Sequence, residues 1–575
     1  MDARNWGVLG FGMDVIADAC SRATERHFYY CRRFRLWRLG LLWPNDRAGR
    51  GLNSFSTPNL DQMAAEGMRF TDYYSGSTVC CPSRAVLLSG FHSGHSTIRG
   101  NSPTANIRAE DIIIPELLRC EGYETAVYGK YGMQQSPPSG PARPGKKGFD
   151  QFFGYSTHEE AHYNYPSFLW QNTPGGGVEQ ISIPVGTWSQ DLFISKALDY
   201  IDQKKDQSFF LYMPFTIPHS NSTTGQMEGP IIAPYASKGW TQDEKKFASI
   251  VTLMDRQIGQ ILQKLKDLGI DDNTIVFFTS DNGPTTNAGH SVTFFDSNGV
   301  LKGEKRDLYD GGIRVPMIAR WPGKIAPGTV SGQVWAAWDV LPTISDITYC
   351  QTPVGIDGIS MKNALLSQSQ TSHPYLYWEF EEGASHPYTQ AVRMGQWKGW
   401  KRGATFELYN LNNDPGEANN IAAGNPSVVT RIKQKMISAH VEGAPPVSSA
   451  IVNIKGDVTG FGTSFTLDFG NATLGSAPIT RMFSVKNLGT NYVHMMEGSV
   501  TGAGITDTRL AFETGPYTAL TAQSTSDVYQ VTFTPSRLGT LLNQTAVAKG
   551  FWSYDGTTPE LRNPVTLSVT GKVIP

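Results

Sequence analysis

The chain has 575 residues, 39% hydrophobic and 17% charged, with six cysteines and a formal net charge of −2. That length can bury several cores and suggests about two to four domains. The composition excludes a disordered chain, and the near-neutral balance excludes a global basic field for nucleic acid, so any anionic ligand must be held by local charges. Cysteine spacing excludes a disulfide-stapled framework, and no apolar run is long enough to span a bilayer.

In chain order, Arg22 to Arg50 comes first, with eight arginines and no lysine. Thr57, Pro58 and Gly67 then suit the cap, first turn and end of a helix in STPNLDQMAAEG. MRFTDYY reads as a strand leading into VCCPSRAVLLSG, where helix-compatible residues follow Pro82 and Cys80 falls at the helix start. Backbone N–H groups at such an end favour an anion. A disulfide between Cys80 and Cys81 would be strained, and a zinc site would need further Cys or His at ligand spacing.

Further along, ETAVYGK ends at Lys130, FFLYMPFT precedes His219, and NTIVFFTS precedes Asp281 and Asn282. All four polar residues stand at carboxyl ends of predicted strands, where open α/β sheets gather ligands, so the segments are expected to share one crevice. Between them, Gln242 to Leu268 sets Phe247, Ile250, Val251, Met254, Ile258, Ile261, Leu262 and Leu265 on one helical face. EGAPPVSSA, from Glu442 to Ala450, is a seam; beyond it SFTLDF, MFSVKN, YQVTFTP and VTLSVTGKV read as short strands of a β-sandwich without catalytic equipment.

CCPSRAVLLSG resembles the signature of the type I sulfatases, Cys-x-Pro-Ser-Arg followed by a short run ending in Thr/Ser-Gly. RAEDIIIPELLRCEGYETAVYGK, FFLYMPFTIPHS, FFTSDNGP and LKGEKRDLYDGGIRVP resemble further sulfatase blocks in family order, so the likeness spans Ser56 to His440. It implies an α/β, alkaline-phosphatase-like sandwich with a central mixed sheet and a small C-terminal subdomain. The expected division is an aberrant segment over 1–51, a catalytic α/β domain over 52–345, the subdomain over 346–445 and an immunoglobulin-like β-sandwich over 450–575.

The resemblance also implies chemistry. A separate formylglycine-generating enzyme would oxidise Cys80 to formylglycine, whose hydrate is the nucleophile. Arg84 would stabilise the hydrate, Lys130 and Lys305 would neutralise sulfate oxygens, and His219 would protonate the leaving oxygen. Asp281, Asn282 and the modified Cys80 would bind Ca²⁺ or Mg²⁺, hard cations suited to oxygen ligands. His95 in SGHSTIRGN and His162 in EEAHYNYPSFLW are candidate substrate contacts, and the aromatics beside His162 could stack on a sugar ring.

Two departures from the family pattern stand out. The family has a histidine two residues after the lysine, where this chain has Gly132. It also takes two acidic metal ligands from an early strand like Asp-Asp-x-Gly-Tyr-Gly-Asp, where this chain reads HFYYCRRFRLWRLGLLWP, with Arg32 and Arg33 in place of the acids. Codons exist for His27 to Pro44 that, shifted by one base, read IFIIADDFGYGDLGCYGQ, so a local frameshift accounts for the basic segment. The same shift explains why Met1 to Ala19 lacks an ordinary signal peptide; a periplasmic, secreted or cell-surface location follows from the resemblance alone.

The favoured reading is a hydrolase removing sulfate from a sulfated carbohydrate or aryl sulfate. The alternatives are a phosphonate monoester hydrolase or phosphatase of the same superfamily, and a metal-deficient glycan-binding homologue.

Overall fold

The computed structural model describes residues 7–12, 47, 49, 51–102, 105–173, 176–353, 355–441 and most of 452–574. Arg32, Arg33, the rest of His27 to Pro44 and the seam at Glu442 to Ala450 lie outside the described residues.

A ten-stranded mixed sheet forms the centre. In chain order its strands are β1 (Gly7–Gly12), β2 (Met68–Phe70), β4 (Glu124–Lys130), β5 (Gln151–Tyr155), β6 (Phe168–Thr173), β7 (Gly177–Ser182), β8 (Phe209–Pro214), β9 (Thr274–Thr279), β10 (Met317–Arg320) and β11 (Thr329–Ser331). β3 (Tyr73–Tyr74) pairs instead with β12 (Trp335–Ala336), so the strand expected over MRFTDYY is two short ones. The spatial order is β11-β2-β10-β9-β1-β8-β4-β5-β6-β7. β9, β1, β8, β4 and β5 run parallel, while β10, β6 and β7 run antiparallel to their neighbours. The central place between β8 and β9 is taken by β1, with Gly12 opposite Pro214 and Phe11 opposite Phe278.

Strand residues alternate between two cores, as a sheet covered on both faces requires. Phe210, Tyr212, Ile275 and Phe277 join one core; Leu211, Met213, Val276 and Phe278 join the other. On the first face lie helices α2 (Cys80–Ser89), α3 (Ile114–Cys120) and α6 (Val340–Thr348); on the second lie α1 (Pro58–Glu66), α4 (Ser189–Lys204) and α5 (Gln242–Asp267). All eight apolar residues expected on the inner face of α5 are buried.

α1 starts and stops where its sequence indicates, by different means. Thr57 makes no side-chain cap; the carboxylate of Asp255 on α5 accepts the N–H groups of Asn59 (3.1 Å) and Leu60 (2.8 Å) instead. Gly67 does not take a left-handed turn: it is needed because a Cβ there would lie 2.4 Å from the carbonyl oxygen of Ala319. Tertiary contacts replaced the two local devices, and the boundaries survived.

A four-stranded antiparallel sheet follows: β13 (Leu376–Glu382), β14 (His386–Met394), β15 (Trp397–Arg402) and β16 (Thr405–Asn410). Helix α7 (Pro426–Ser438) packs on it through Ile432 and Met436. Trp378 Nε1 donates to the Ser75 carbonyl (2.9 Å), tying this sheet to the segment just before Cys80. Residues 452–574 contribute two further sheets, of four and eight strands, whose strands cover the four segments read from the sequence. No helix among the described residues is long and apolar enough to cross a membrane.

Candidate active site

Cys80 is the first residue of α2. The N–H of Cys81 is capped from outside by Asn101 Oδ1 (3.1 Å), Pro82 brings no N–H to satisfy, and the helix ends at Gly90 in a left-handed turn (φ 80°). Cys80 and Cys81 form no disulfide.

One turn along α2, Arg84 reaches across the ends of two strands. Its Nε and Nη2 contact Asp281 Oδ2 at 3.0 and 2.8 Å, and its Nη1 donates to the Lys130 carbonyl at 2.7 Å. Lys305 completes the group from a loop, its Nζ 3.5 Å from Cys80 Sγ. That loop is sewn to the site from both sides: Lys305 N–H donates to the Pro284 carbonyl (2.7 Å), and the Thr78 hydroxyl donates to the Asp307 carbonyl (2.8 Å). Gly283 is required at the junction, since a Cβ there would overlap the Gly311 carbonyl oxygen at 1.9 Å.

Cys80, Arg84 and Lys130 are at most 1% exposed; Asp281 and Lys305 are 5% and 6%. Three basic residues and one carboxylate are thus buried close to Cys80, with Arg84 paired to Asp281 and Lys305 on the Cys80 sulfur.

His219 stands beyond β8, next to β4 in the sheet. Its Nδ1 donates to the Ser220 carbonyl (2.5 Å), which fixes the orientation of the ring. It lines a small cavity with Thr285 and Asn287, on the loop that follows Asp281. His162 lies flat on His219, ring centroids 4.8 Å apart and planes 7° from parallel, and His158 meets His162 edge-on at 6.1 Å. Direct contacts thus link Arg84 to Asp281 and to the Lys130 carbonyl, and Lys305 to Cys80 one helical turn away, while His219 and His162 stack on each other beside the loop that follows Asp281.

Gly132 packs against this group but brings no imidazole to it. A Cβ there would sit 3.7 Å from both Arg84 Cδ and Lys130 Cγ, which is ordinary contact, while its φ of 73° disfavours any other residue. His95 belongs to a different cluster. Its Nδ1 bonds Asp357 (2.9 Å) and its ring stacks on His92 at 4.2 Å.

His92, His95 and Asp357 have the spacing of a metal centre, but their protons argue against one. Burial pushes His92 down to about 4, so it is neutral. Its Nδ1 accepts the Gly94 N–H (3.2 Å), which puts the proton on Nε2, facing Asp357 at 3.5 Å. No lone pair is left on Nε2 for a cation.

A divalent metal beside Cys80 meets a different difficulty. Asn282 Oδ1 is buried with no hydrogen-bond partner among the described residues, as a ligand oxygen would be, but Asp281 Oδ2 is engaged by Arg84. Two adjacent residues are too few for a cation that takes about six to eight oxygens. The described residues do not complete the site.

Sequence reasoning missed His158, Asn101 and Asp357. Asn101 and Asp357 act through contacts across 20 and 262 residues, which no local pattern announces.

The family model described as Sulfatase matches residues 46–349, and that described as N-sulphoglucosamine sulphohydrolase, C-terminal, matches 302–442. N-acetylgalactosamine-6-sulfatase of Canis lupus familiaris is 32% identical over 372 residues, covering 60% of this chain and 67% of the relative. Arylsulfatase A of Homo sapiens is 29% identical over 445 residues, covering 68% and 85%. Among solved structures, Ps i-CgsB in complex with k-i-k-neocarrahexaose aligns with a TM-score of 0.60 at 23% identity, covering 77% of this chain and 94% of that one, a likeness of fold.

Proposed function

Because the chain belongs to the sulfatase family, a family of sulfuric ester hydrolases, we propose that it removes sulfate from a sulfated carbohydrate through a formylglycine made from Cys80. The observation that carries this is the contact of Lys305 Nζ with Cys80 Sγ at the head of α2, inside a buried group that also holds Arg84 and Lys130. The carbohydrate class is supported by the relative named for N-acetylgalactosamine 6-sulfate. Maturation by a formylglycine-generating enzyme and a periplasmic, secreted or cell-surface location belong to the same reading.

The Cys80 sulfur marks where the nucleophile's oxygens would stand. Formylglycine, when hydrated, supplies two hydroxyls on one carbon, one to attack sulfur and one whose deprotonation expels sulfate as the aldehyde returns. Lys305 holds that centre by hydrogen bond, and Arg84, fixed by Asp281 and the Lys130 carbonyl, cannot swing away from it. Lys130 and Lys305 oppose the negative charge that grows on the sulfuryl oxygens, in a site where burial makes each charge count for more than in water. His219, acting as an imidazolium that keeps its Nδ1 proton on the Ser220 carbonyl, gives the leaving oxygen the proton on Nε2 and is left neutral. His162, stacked on His219, is the imidazole that stands in for the one missing at Gly132.

No step is assigned to a metal. We read Arg32 and Arg33 as the product of a frameshift that removed an acidic pair of metal ligands. Four measurements test the reading. A peptide mass spectrum across Cys80 after expression with the maturation enzyme should show the aldehyde; an unmodified thiol rejects this nucleophile. Sequencing the coding DNA should open the shifted frame across His27 to Pro44, and replacing that segment by IFIIADDFGYGDLGCYGQ should raise turnover of an aryl sulfate. Faster cleavage of an aryl phosphonate than of the sulfate would favour the phosphonate hydrolase instead.

A further inference from the structure

We propose that the cavity beside His162 holds the sugar next to the sulfated one, and that this neighbouring sugar is uncharged. The inference rests on the carbohydrate reading above and goes beyond it by naming what the second ring must be.

A cavity of about 770 Å³ opens between the loop joining β5 to β6 and the Ser222–Thr223 turn. Its volume falls in the range of about 300–1,000 Å³ usual for small-ligand sites. His162 lines it while lying parallel on His219, so the cavity continues directly from the group that would protonate the leaving oxygen. A sugar linked to the sulfated residue has this space in front of it.

The walls suit a carbohydrate. Tyr163 and Tyr165 are each 39% exposed, unusual for rings on a loop that is otherwise tied down, and each offers an apolar face with a polar tip. The loop is pre-ordered to present them. Asn164 N–H donates to Glu228 Oε2 (2.7 Å), the Tyr155 hydroxyl donates to the Tyr163 carbonyl (2.5 Å), and Asn164 Oδ1 accepts from the Thr216 hydroxyl (2.7 Å). Little conformational entropy remains to be lost on binding.

Charge decides which sugar. Glu159 and Glu160 line the cavity together with His158 and His162, and among the described residues no lysine or arginine does. Glu160 is held in place by N–H and O–H donors, Ser156 N (2.9 Å), Ser156 Oγ (3.0 Å) and Trp170 Nε1 (3.1 Å). A uronate or second sulfate would face the two glutamates as like charges, whereas a neutral hexose or N-acetylhexosamine would offer them hydroxyl donors and lay its apolar face on the tyrosines.

The test is calorimetric binding to the Cys80→Ala full chain, which cannot turn over. Three probes are used: a sulfated monosaccharide, the same unit linked to a neutral hexose, and the same unit linked to a hexuronic acid. The neutral disaccharide should bind at least tenfold tighter than the uronate one. Tyr165→Ala and Tyr163→Ala should each weaken the neutral disaccharide about tenfold and leave the monosaccharide unchanged, while Tyr165→Phe retains affinity. Glu159→Gln should narrow the gap between the disaccharides about threefold. Equal binding of the two disaccharides, or loss of monosaccharide binding in step with the disaccharide, overturns the proposal and leaves the sulfatase reading intact. Failure of the sulfated monosaccharide itself to bind overturns the carbohydrate reading, and this inference with it.

Discussion

Two buried charge clusters in this molecule differ in one respect. Around Cys80, Arg84 pairs with Asp281 and Lys305 reaches the Cys80 sulfur. Beneath β15, Lys398 lies 2.6 Å from Asp310 and 2.9 Å from Glu417, Arg314 binds Asp310 (3.4 Å) and Asp72 (3.0 Å), and Arg393 binds Asp72 (2.8 Å). The second cluster holds three bases and three acids, closes on itself and joins the four-stranded sheet to the main body. It needs nothing from outside. The first is built around a cysteine sulfur, where the proposed reaction would take place.

If that contrast holds, substitutions in the two clusters should fail differently. Cys80→Ala should abolish hydrolysis of 4-nitrophenyl sulfate by the matured protein with an unchanged melting temperature; any remaining first-order turnover would remove Cys80 from the mechanism. Lys398→Met strands Asp310 and Glu417 and should cost about 3–5 kcal/mol in denaturant unfolding, the range for breaking a buried pair from one side. Lys305→Ala should lower turnover about 10²–10³-fold, as loss of one stabilising donor does, without lowering the melting temperature. Equal loss of stability in the two lysine variants would erase the distinction between the clusters.

A finer test uses pH. Burial, aided by Asp310, pushes Glu417 up to about 7 despite Lys398, whereas the Lys398 and Arg314 charges outweigh burial at Asp310 and hold its carboxyl below the usual range. A carboxyl raised on folding contributes stability fully present below its ordinary value of 4.5 and lost as pH climbs through about 7. Asp310 acts oppositely, and only as pH falls below its ordinary 3.8. The melting temperature should therefore decline between those Glu417 limits, and Glu417→Gln should flatten the slope. Least of all, Asn101→Ala removes the cap on α2 and should cost about 1 kcal/mol in unfolding.

Much of the catalytic half was legible in the sequence, because its elements are long and regular. The stripe on α5, the buried runs of β8 and β9, and the helix opening at Cys80 each state their structure within a few residues. Where a boundary depended on a partner, the local reading had the right place for the wrong reason: Asp255, not Thr57, caps α1, and Gly67 answers Ala319 rather than a turn. His95 and His162 looked alike in the sequence as loop histidines, and only packing separated them, one onto His92 and the other onto His219.

By itself, the sequence determined which residues carry charge and nucleophile and that they end strands or begin a helix, since backbone periodicity and capping act over a few residues. Tertiary structure alone decided which of those groups touch and where a cavity opens beside His162. Those outcomes depend on contacts between distant segments, 225 residues apart for Cys80 and Lys305 and 321 for Arg393 and Asp72, and local pattern carries no information about them.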